Sequence, residues 1–372
     1  MSGRQVVMIG AFPPPLGGAA KNNAILFESL RNAGAPVVKI DVSATATAHS
    51  RSLGYHWQRI RRNLRASLAA RRHAGAGAIL YMVPDGGAGA WYSLAHVAMA
   101  GGGYERLVLH HRTSHYMRRR SRPIAMLTNL HRDKAVHVFL SEGMAEAFAA
   151  QYGAVDHLIA SNARFVADEA AAEPRHRAPG PLVLGHLSNL CREKGFFEVA
   201  DAYERLRDAG CEAELRLAGP VLEPEVQDRL DALAGRYGPS VSYEGPVTGP
   251  AKRAFYQSLD LFLFPTSFRQ EAAPNVVYEA LANGVPVLAS DRGCIGEMLP
   301  PQAGAVWDGH QSFADFVLEY VRDFSLDGEA DRKRADRVKA WIRAECLRST
   351  DQYSALLEVL GARAGTPLEQ EF

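Results

Sequence analysis

The sequence predicts an α/β protein built of two doubly wound domains facing a central cleft. Three observations predict it. The chain has 372 residues, too many for one ordinary core and suited to two. Short apolar, β-branched runs alternate with helical spacing in both halves. Between the halves, residues 167–181 are rich in Ala, Glu, Arg and Pro and carry no apolar period. The expected division is therefore residues 1–166, a linker at 167–181, residues 182–345, and a tail at 346–372.

In the first half, residues 6–10 read as a buried parallel strand, apolar on both faces. A proline-rich loop ending in Gly17-Gly18 follows, then helical spacing over 20–32, a stop at Gly34 and a strand at 36–42. Further strands are expected at 78–83, 106–111 and 135–140. The second half restarts with strands at 182–186, 213–218, 241–244, 259–264 and 285–289. Helices fall between them at 195–209, 223–237, 252–258 and 275–283, and 313–360 reads as mostly helical. Ligands of such sheets sit beyond the carboxyl ends of the strands. The loops at 17–18, 84–89 and 110–115 are thus expected along one rim.

Composition narrows the function classes. Apolar residues make up 47% and charged residues 22% of the chain, a globular rather than disordered balance. A formal net charge of +1 gives no global field for nucleic acid. The four cysteines show neither metal-ligand spacing nor a C-x-x-C, which suits a reduced, cytoplasmic protein without structural zinc. The apolar run at 6–9 is too short for a signal-peptide core. No window reaches the roughly 18–20 apolar residues of a membrane span. The inner membrane face remains open as a workplace.

The most informative stretch runs from Phe264 to Val287. A strand ends, a loop runs out, and a helix begins near Pro274, which fits a first helical turn because its missing N–H is not needed there. The helix N-terminus, with Pro274, Asn275 and Val276, is expected to present backbone N–H groups to an anion such as phosphate. Glu271 lies in the loop before this helix and Glu279 lies on it, with seven residues between them. Carboxylates accept hydrogen bonds from sugar hydroxyls. Glu271 as a partner of the helix dipole and Glu279 as a solvated helical residue are the plainer readings.

Glu271 and Glu279, followed by Ala280, Gly284 and Pro286-Val287, resemble the E-x7-E signature of retaining glycosyltransferases of the GT-B fold, family four. Residues 259–266 resemble that family's lead-in strand, and Glu193-Lys194-Gly195 its donor phosphate loop. The resemblance covers nearly all of 182–300 and is looser in the first half. It implies two Rossmann-like domains, with the last helix crossing back onto the first domain. It also implies that Glu271 contacts the donor sugar, Glu279 holds the ribose, and Lys194 neutralises the pyrophosphate. A lysine at a helix start opposes the dipole, so an anionic partner makes better sense of Lys194.

Two departures stand out. Asn189 occupies the place of the family's phosphate-gripping Arg, with Arg192 close enough to substitute. Pro274 stands where a Gly is common, which leaves Asn275, Val276 and Val277 to supply the anion contacts. In the first half, Gly17 and Gly18 let backbone approach a ligand closely, and the family uses such a pair near the donor phosphate. It also places a functional histidine at a strand end there, for which His111 is preferred and His110 is the alternate.

Basic residues cluster in the same half, at Arg59, Arg61, Arg62, Arg65, Arg71 and Arg72 and again at 118–122, beside Tyr55, Trp57 and Tyr116. They suit an anionic lipid surface or a lipid-phosphate acceptor, or simply solvated helix faces. No aromatic–basic motif for nucleic acid is present.

The expectation is a retaining, metal-independent glycosyltransferase needing no cofactor beyond its co-substrate, a nucleoside-diphosphate sugar. Its acceptor would be a glycan, a lipid-linked molecule or a small molecule, in a setting such as polysaccharide biosynthesis. No D-x-D sequence occurs to hold a divalent ion. Two rivals stay open, a phosphorylase using inorganic phosphate and a non-catalytic subunit that binds nucleotide sugars.

Overall fold

The structure, a computed structural model, describes residues 4–14, 18–43, 53–172, 180–324 and 327–362. It divides into two compact units, Met1–Ser161 with Ser349–Phe372, and Asn162–Arg348.

The first unit holds strands β1 (Val6–Gly10), β2 (Val37–Asp41), β3 (Ile79–Met82), β4 (Arg106–His110), β5 (Ala135–Phe139) and β6 (His157–Ile159). Its helices before the second unit are α1 (Gly18–Asn32), α2 (Leu53–His73), α3 (Ala90–Ala100), α4 (His115–Arg118), α5 (Arg122–Asn129) and α6 (Glu142–Tyr152). The strands form one sheet in the order β2-β1-β3-β4-β5-β6, and every pairing is parallel. β1, β3 and β5 are buried along their whole length, as parallel strands covered on both faces must be. Val7, Ile9, Leu80, Met82, Leu107 and Leu109 form one face of the core.

The second unit repeats the plan. Its strands are β7 (Leu182–Leu187), β8 (Ala213–Ala218), β9 (Val241–Tyr243), β10 (Leu261–Phe264), β11 (Val287–Ser290) and β12 (Gly304–Trp307), in the order β12-β11-β10-β7-β8-β9. All pairings are again parallel. The helices are α7 (Ala167–Ala171), α8 (Phe196–Asp208), α9 (Pro224–Tyr237), α10 (Gly249–Gln257), α11 (Asn275–Ala282), α12 (Ile295–Met298), α13 (Phe313–Arg322) and α14 (Gly328–Val359). The last belongs to the second unit up to Arg348 and to the first from Ser349. Strand order reverses between β7 and β10 here, and between β1 and β3 in the first unit. A ligand crevice is expected at each switch point.

Expected and observed elements differ at the sheet edges. β6 has only three residues, half-buried or exposed, and β12 is apolar but half Gly and Ala, which are depleted in strands. Residues 167–171, expected as linker, form α7, while 173–179 lie outside the described residues. Tertiary contacts hold α7: Lys339 Nζ donates to the Glu169 carbonyl at 2.9 Å and Arg343 Nε to that of Ala170 at 2.8 Å. The same Lys339 ammonium, itself buried, donates to the Ala282 carbonyl at 2.7 Å. It thus places a cation at the C-terminus of α11, the favourable end of the dipole.

Candidate active site

The switch point of the second unit brings together the loop after β7 and the loop after β10. His186, near the end of β7, is buried and donates from Nδ1 to the Leu263 carbonyl at 2.8 Å, while its Nε2 accepts from Ser188 at 2.8 Å. Burial depresses its pKa to about 4, against the Leu263 hydrogen bond and with a smaller contribution from Lys194. The ring is a neutral strut tying β7 to β10.

The β7 loop then makes one turn of 3-10 helix, Arg192–Lys194, and reaches Gly195 at φ +86°. A Cβ on Gly195 would lie 2.5 Å from the Pro265 carbonyl oxygen, so only glycine lets the two loops touch. Ser267 N donates to the Glu193 carbonyl at 2.9 Å and completes the seam.

Beyond that seam the β10 loop folds on itself. The Thr266 hydroxyl donates to Glu271 Oε2 at 3.2 Å and accepts from Phe268 N at 3.2 Å. Ser290, at the end of β11, donates to the Thr266 carbonyl at 2.5 Å. Cys294 N donates to the Ala272 carbonyl at 2.8 Å. Gly293 makes that approach possible, because at φ +58° a Cβ there would meet the Ala272 oxygen at 2.3 Å.

Glu271 is thereby held against Lys194. Lys194 Nζ lies 2.5 Å from Glu271 Oε2, with side-chain exposures of 20% and 10%. The ammonium also stands 4.6 Å from the centre of the Phe268 ring, within cation–π range. Sequence spacing alone does not reveal this pair, since its members stand 77 residues apart.

Pro274 is the N-cap of α11 rather than its first helical residue, and Asn275 opens the helix. The Val277 N–H donates to the Pro274 carbonyl at 3.2 Å. This corrects the expectation that Val277 would serve an anion and leaves the first turn, at Asn275 and Val276, as the part that can. Glu279 is not solvated. Its carboxylate receives Lys252 Nζ at 2.5 Å and the Tyr256 hydroxyl at 3.0 Å, both from α10. Burial, followed by the Glu279 charge, pushes the Tyr256 phenol well above its ordinary pKa, so it remains a donor. Lys252 and Tyr256 escaped the sequence reading because nothing in α10 marks them apart from ordinary helical residues. Asn189 is exposed. The Arg192 guanidinium lies over Phe197 at 4.3 Å.

The first unit separates the two candidate histidines. His111 is fully buried, its Nδ1 2.7 Å from the Tyr116 hydroxyl and its Nε2 2.8 Å from His137 Nδ1. With both nitrogens engaged inside the core, it has none left for a ligand, which corrects the preference for His111 over His110. His110 closes β4. Arg112 Nη2 donates to the Tyr81 hydroxyl at 3.2 Å, and that hydroxyl stands 2.9 Å from His110 Nδ1. This relay makes Nδ1 the acceptor and puts the proton on Nε2, a buried atom without a partner. Burial first, then Arg112 and His111, holds the His110 pKa well below its usual value. Gly18 opens α1, and Gly17 lies outside the described residues.

A cavity of about 310 Å³ occupies the switch point of this unit, beyond β1 and β3. Its polar lining includes Asn23, Ser43, Arg59, Arg62, Asn63 and Asp85. Among the described residues, no group of three or more His, Cys, Asp or Glu is placed to hold a metal ion, and no helix is long and apolar enough to cross a membrane.

Residues 181–323 match the family described as glycosyl transferases group 1. The second unit carries a group 1 glycosyltransferase domain. Both switch-point loops and Glu271, Glu279 and Lys194 fall inside the matched stretch. The chain is 28% identical over 191 residues to a GDP-mannose-dependent alpha-(1-6)-phosphatidylinositol dimannoside mannosyltransferase of Mycobacterium tuberculosis, covering 50% of this chain and 45% of that protein. It thus matches under half the length of its curated relatives. Among solved structures, Anabaena HepE in complex with UDP and glucose superposes with a TM-score of 0.62 at 16% identity, over 96% of this chain and 99% of that one. A glycosyltransferase from Rickettsia africae does so with a TM-score of 0.69 at 11% identity, over 98% and 100%. Both describe the two-domain, Rossmann-like GT-B fold into which the group 1 domain is built here.

Proposed function

We propose that this protein transfers a sugar from a nucleoside-diphosphate sugar, held by the group 1 domain, to an acceptor held by the first unit. The single observation that carries the reading is the Lys194–Glu271 pair beside the N-terminus of α11. Without ligand, each charge is the other's main partner. A diphosphate at the helix terminus offers Lys194 a better-matched anion, and Glu271 is then released to accept from hydroxyls of the sugar. Glu279, flanked by Lys252 and Tyr256, accepts from the ribose hydroxyls. Lys194 and the first turn of α11 stabilise the charge that develops on the departing diphosphate.

Retention of anomeric configuration and independence from a bound metal ion are parts of this reading. The leaving phosphate itself takes the acceptor proton. The switch-point cavity of the first unit, with Arg59 and Arg62 in its wall, suits an anionic or hydroxyl-rich acceptor, whether glycan, lipid-linked or small. The polar Nε2–H of His110 is the histidine function assigned to that unit. Peripheral contact with an anionic membrane face belongs to the same reading.

The base of the donor is open, since one relative is GDP-mannose-dependent and one structural neighbour holds UDP. The test is the melting temperature against a panel of nucleoside diphosphates and their sugars, with EDTA present. A ligand that binds the native state raises stability by RT ln(1 + [L]/Kd). A shift confined to one base supports the donor site and freedom from metal. No shift with any of them contradicts the reading and advances the phosphorylase alternative, whereas a shift without transfer or hydrolysis favours the non-catalytic one.

A further inference from the structure

α2 is turned inside out relative to an ordinary surface helix. Its buried side consists of Asn63, Ala66, Ser67 and Ala70, small or polar residues that fix the helix with hydrogen bonds rather than apolar bulk. Asn63 Oδ1 and the Ser67 hydroxyl hold the two nitrogens of buried His96 at 3.1 and 2.8 Å. The Tyr104 hydroxyl donates to the Ala70 carbonyl at 2.6 Å.

The large apolar residues stand outside. Trp57, Ile60, Leu64 and Leu68 are 61%, 44%, 50% and 43% exposed. At about 100° per residue they fall within an arc of about 80° and form one continuous stripe. Arg61, Arg65 and Arg72 run along one flank, and Arg71 caps the stripe one turn beyond Leu68, all exposed. The helix carries no Asp or Glu anywhere. Isolated exposed apolar residues need no explanation, but a contiguous stripe of four does.

We propose that this face of α2 docks on an anionic lipid bilayer, the apolar stripe entering the headgroup–acyl boundary while the arginines meet lipid phosphates. An apolar stripe led by Trp and flanked by a row of arginines, on a helix without Asp or Glu, is the composition of a helix lying in a membrane interface. Charge decides against the nearest rival, a second copy of this chain, because stripe-to-stripe pairing would bring together two helices that carry arginines and no Asp or Glu. The inner side of the same helix supplies Arg59, Arg62 and Asn63 to the switch-point cavity. Docking through α2 therefore sets that cavity at the lipid surface, within reach of an acceptor carried there. The inference rests on the proposed transferase working at an anionic surface and adds the element that meets it.

The test is flotation of the full chain with vesicles of phosphatidylcholine alone or mixed with phosphatidylglycerol, at low and high salt. The wild type is expected to float with the mixed vesicles at low salt and to be released at high salt. Arg61→Ser/Arg65→Ser should lower the partition coefficient about thirtyfold, at about 1 kcal/mol per arginine. Trp57→Ser/Leu64→Ser should lower it about tenfold or more. Both pairs replace exposed side chains, so melting temperature and nucleoside-diphosphate binding should stay as in the wild type. Failure of the wild type to float with mixed vesicles overturns the proposal, as does flotation of both variants equal to wild type. So does a wild-type dimer in sedimentation that these substitutions dissolve. Loss of nucleotide binding with flotation intact would sink the donor reading and leave the docking face standing.

Discussion

Lys194 and Glu271 meet at 2.5 Å across the switch point of the second sheet, one from the loop after β7 and the other from the loop after β10. The pair is half-buried and buttressed by Thr266 and Phe268, so it sets the mouth of the site rather than decorating its surface. If Glu271 holds the sugar, Glu271→Gln should cut turnover about a hundredfold or more. Affinity for the free nucleoside diphosphate, which lacks the sugar, should change far less. Steady-state rates beside a calorimetric Kd separate the two effects. Equal loss in both would assign Glu271 to the shape of the site instead.

Glu279 is held by Lys252 and Tyr256. Removing one partner of a largely buried ion pair leaves the other charge uncompensated. Lys252→Met should therefore destabilise the protein by about 2–3 kcal/mol and also weaken nucleoside binding, because Glu279 loses its fixed orientation. Urea midpoints and nucleoside titrations of Lys252→Met and Tyr256→Phe would show it, with the phenylalanine variant milder.

Gly195 is the contact between the two loops. Alanine there must hold φ +86° and intrude on the Pro265 carbonyl, which should cost about 2–4 kcal/mol. Local separation of the loops should also lower diphosphate affinity more than sugar selectivity. Full affinity in a stable Gly195→Ala protein would mean that the seam does not shape the site.

His111 and His110 should respond oppositely to substitution. His111→Phe leaves the Tyr116 hydroxyl and His137 without their partner and should cost about 2–4 kcal/mol, with turnover per folded molecule preserved. His110→Asn should lower kcat while shifting the melting temperature less. The reverse pattern would restore His111 as the functional residue.

Burial depresses the pKa values of His96, His137 and His186 to about 4. In each case the unfolded chain takes up the proton first. The native state is favoured fully above the ordinary histidine pKa of about 6.5 and loses that advantage as pH falls toward 4. Stability should therefore fall between pH 6.5 and 4, by up to about 1.4 kcal/mol per pH unit for each histidine. His186→Gln should flatten the dependence in urea titrations taken across that window.

The central strands were legible because parallel strands buried on both faces read as apolar runs, as in β1 and β10. Short edge strands give a weaker signal, β6 because it has three residues and β12 because half of it is Gly and Ala. α7 looked like a linker because its stability comes from Lys339 and Arg343, far along the chain. Glu271, Glu279 and Lys194 stand out in the sequence by their spacing and setting, but their partners do not. Lys252 and Tyr256 sit on an unremarkable helix, and the Lys194–Glu271 contact exists only once β7 and β10 are neighbours. A histidine at a strand end faces rim or core according to its register, which the sequence does not give; for His111 its own hydrogen bonds to Tyr116 and His137 place it in the core. The arginines of α2 were visible in the sequence. The exposure of the apolar residues among them follows from the small residues that the helix buries.

The central claim is that the crevice between β7 and β10 holds a nucleoside diphosphate. Calorimetric titration of the stabilising nucleoside diphosphate into wild type, Lys194→Met and Arg59→Ala tests it most directly. The account predicts one site in the wild type, affinity weakened about 10–100-fold by Lys194→Met through loss of charge-assisted hydrogen bonds, and affinity unchanged by Arg59→Ala. Wild-type affinity in Lys194→Met, or loss of binding in Arg59→Ala alone, would contradict it.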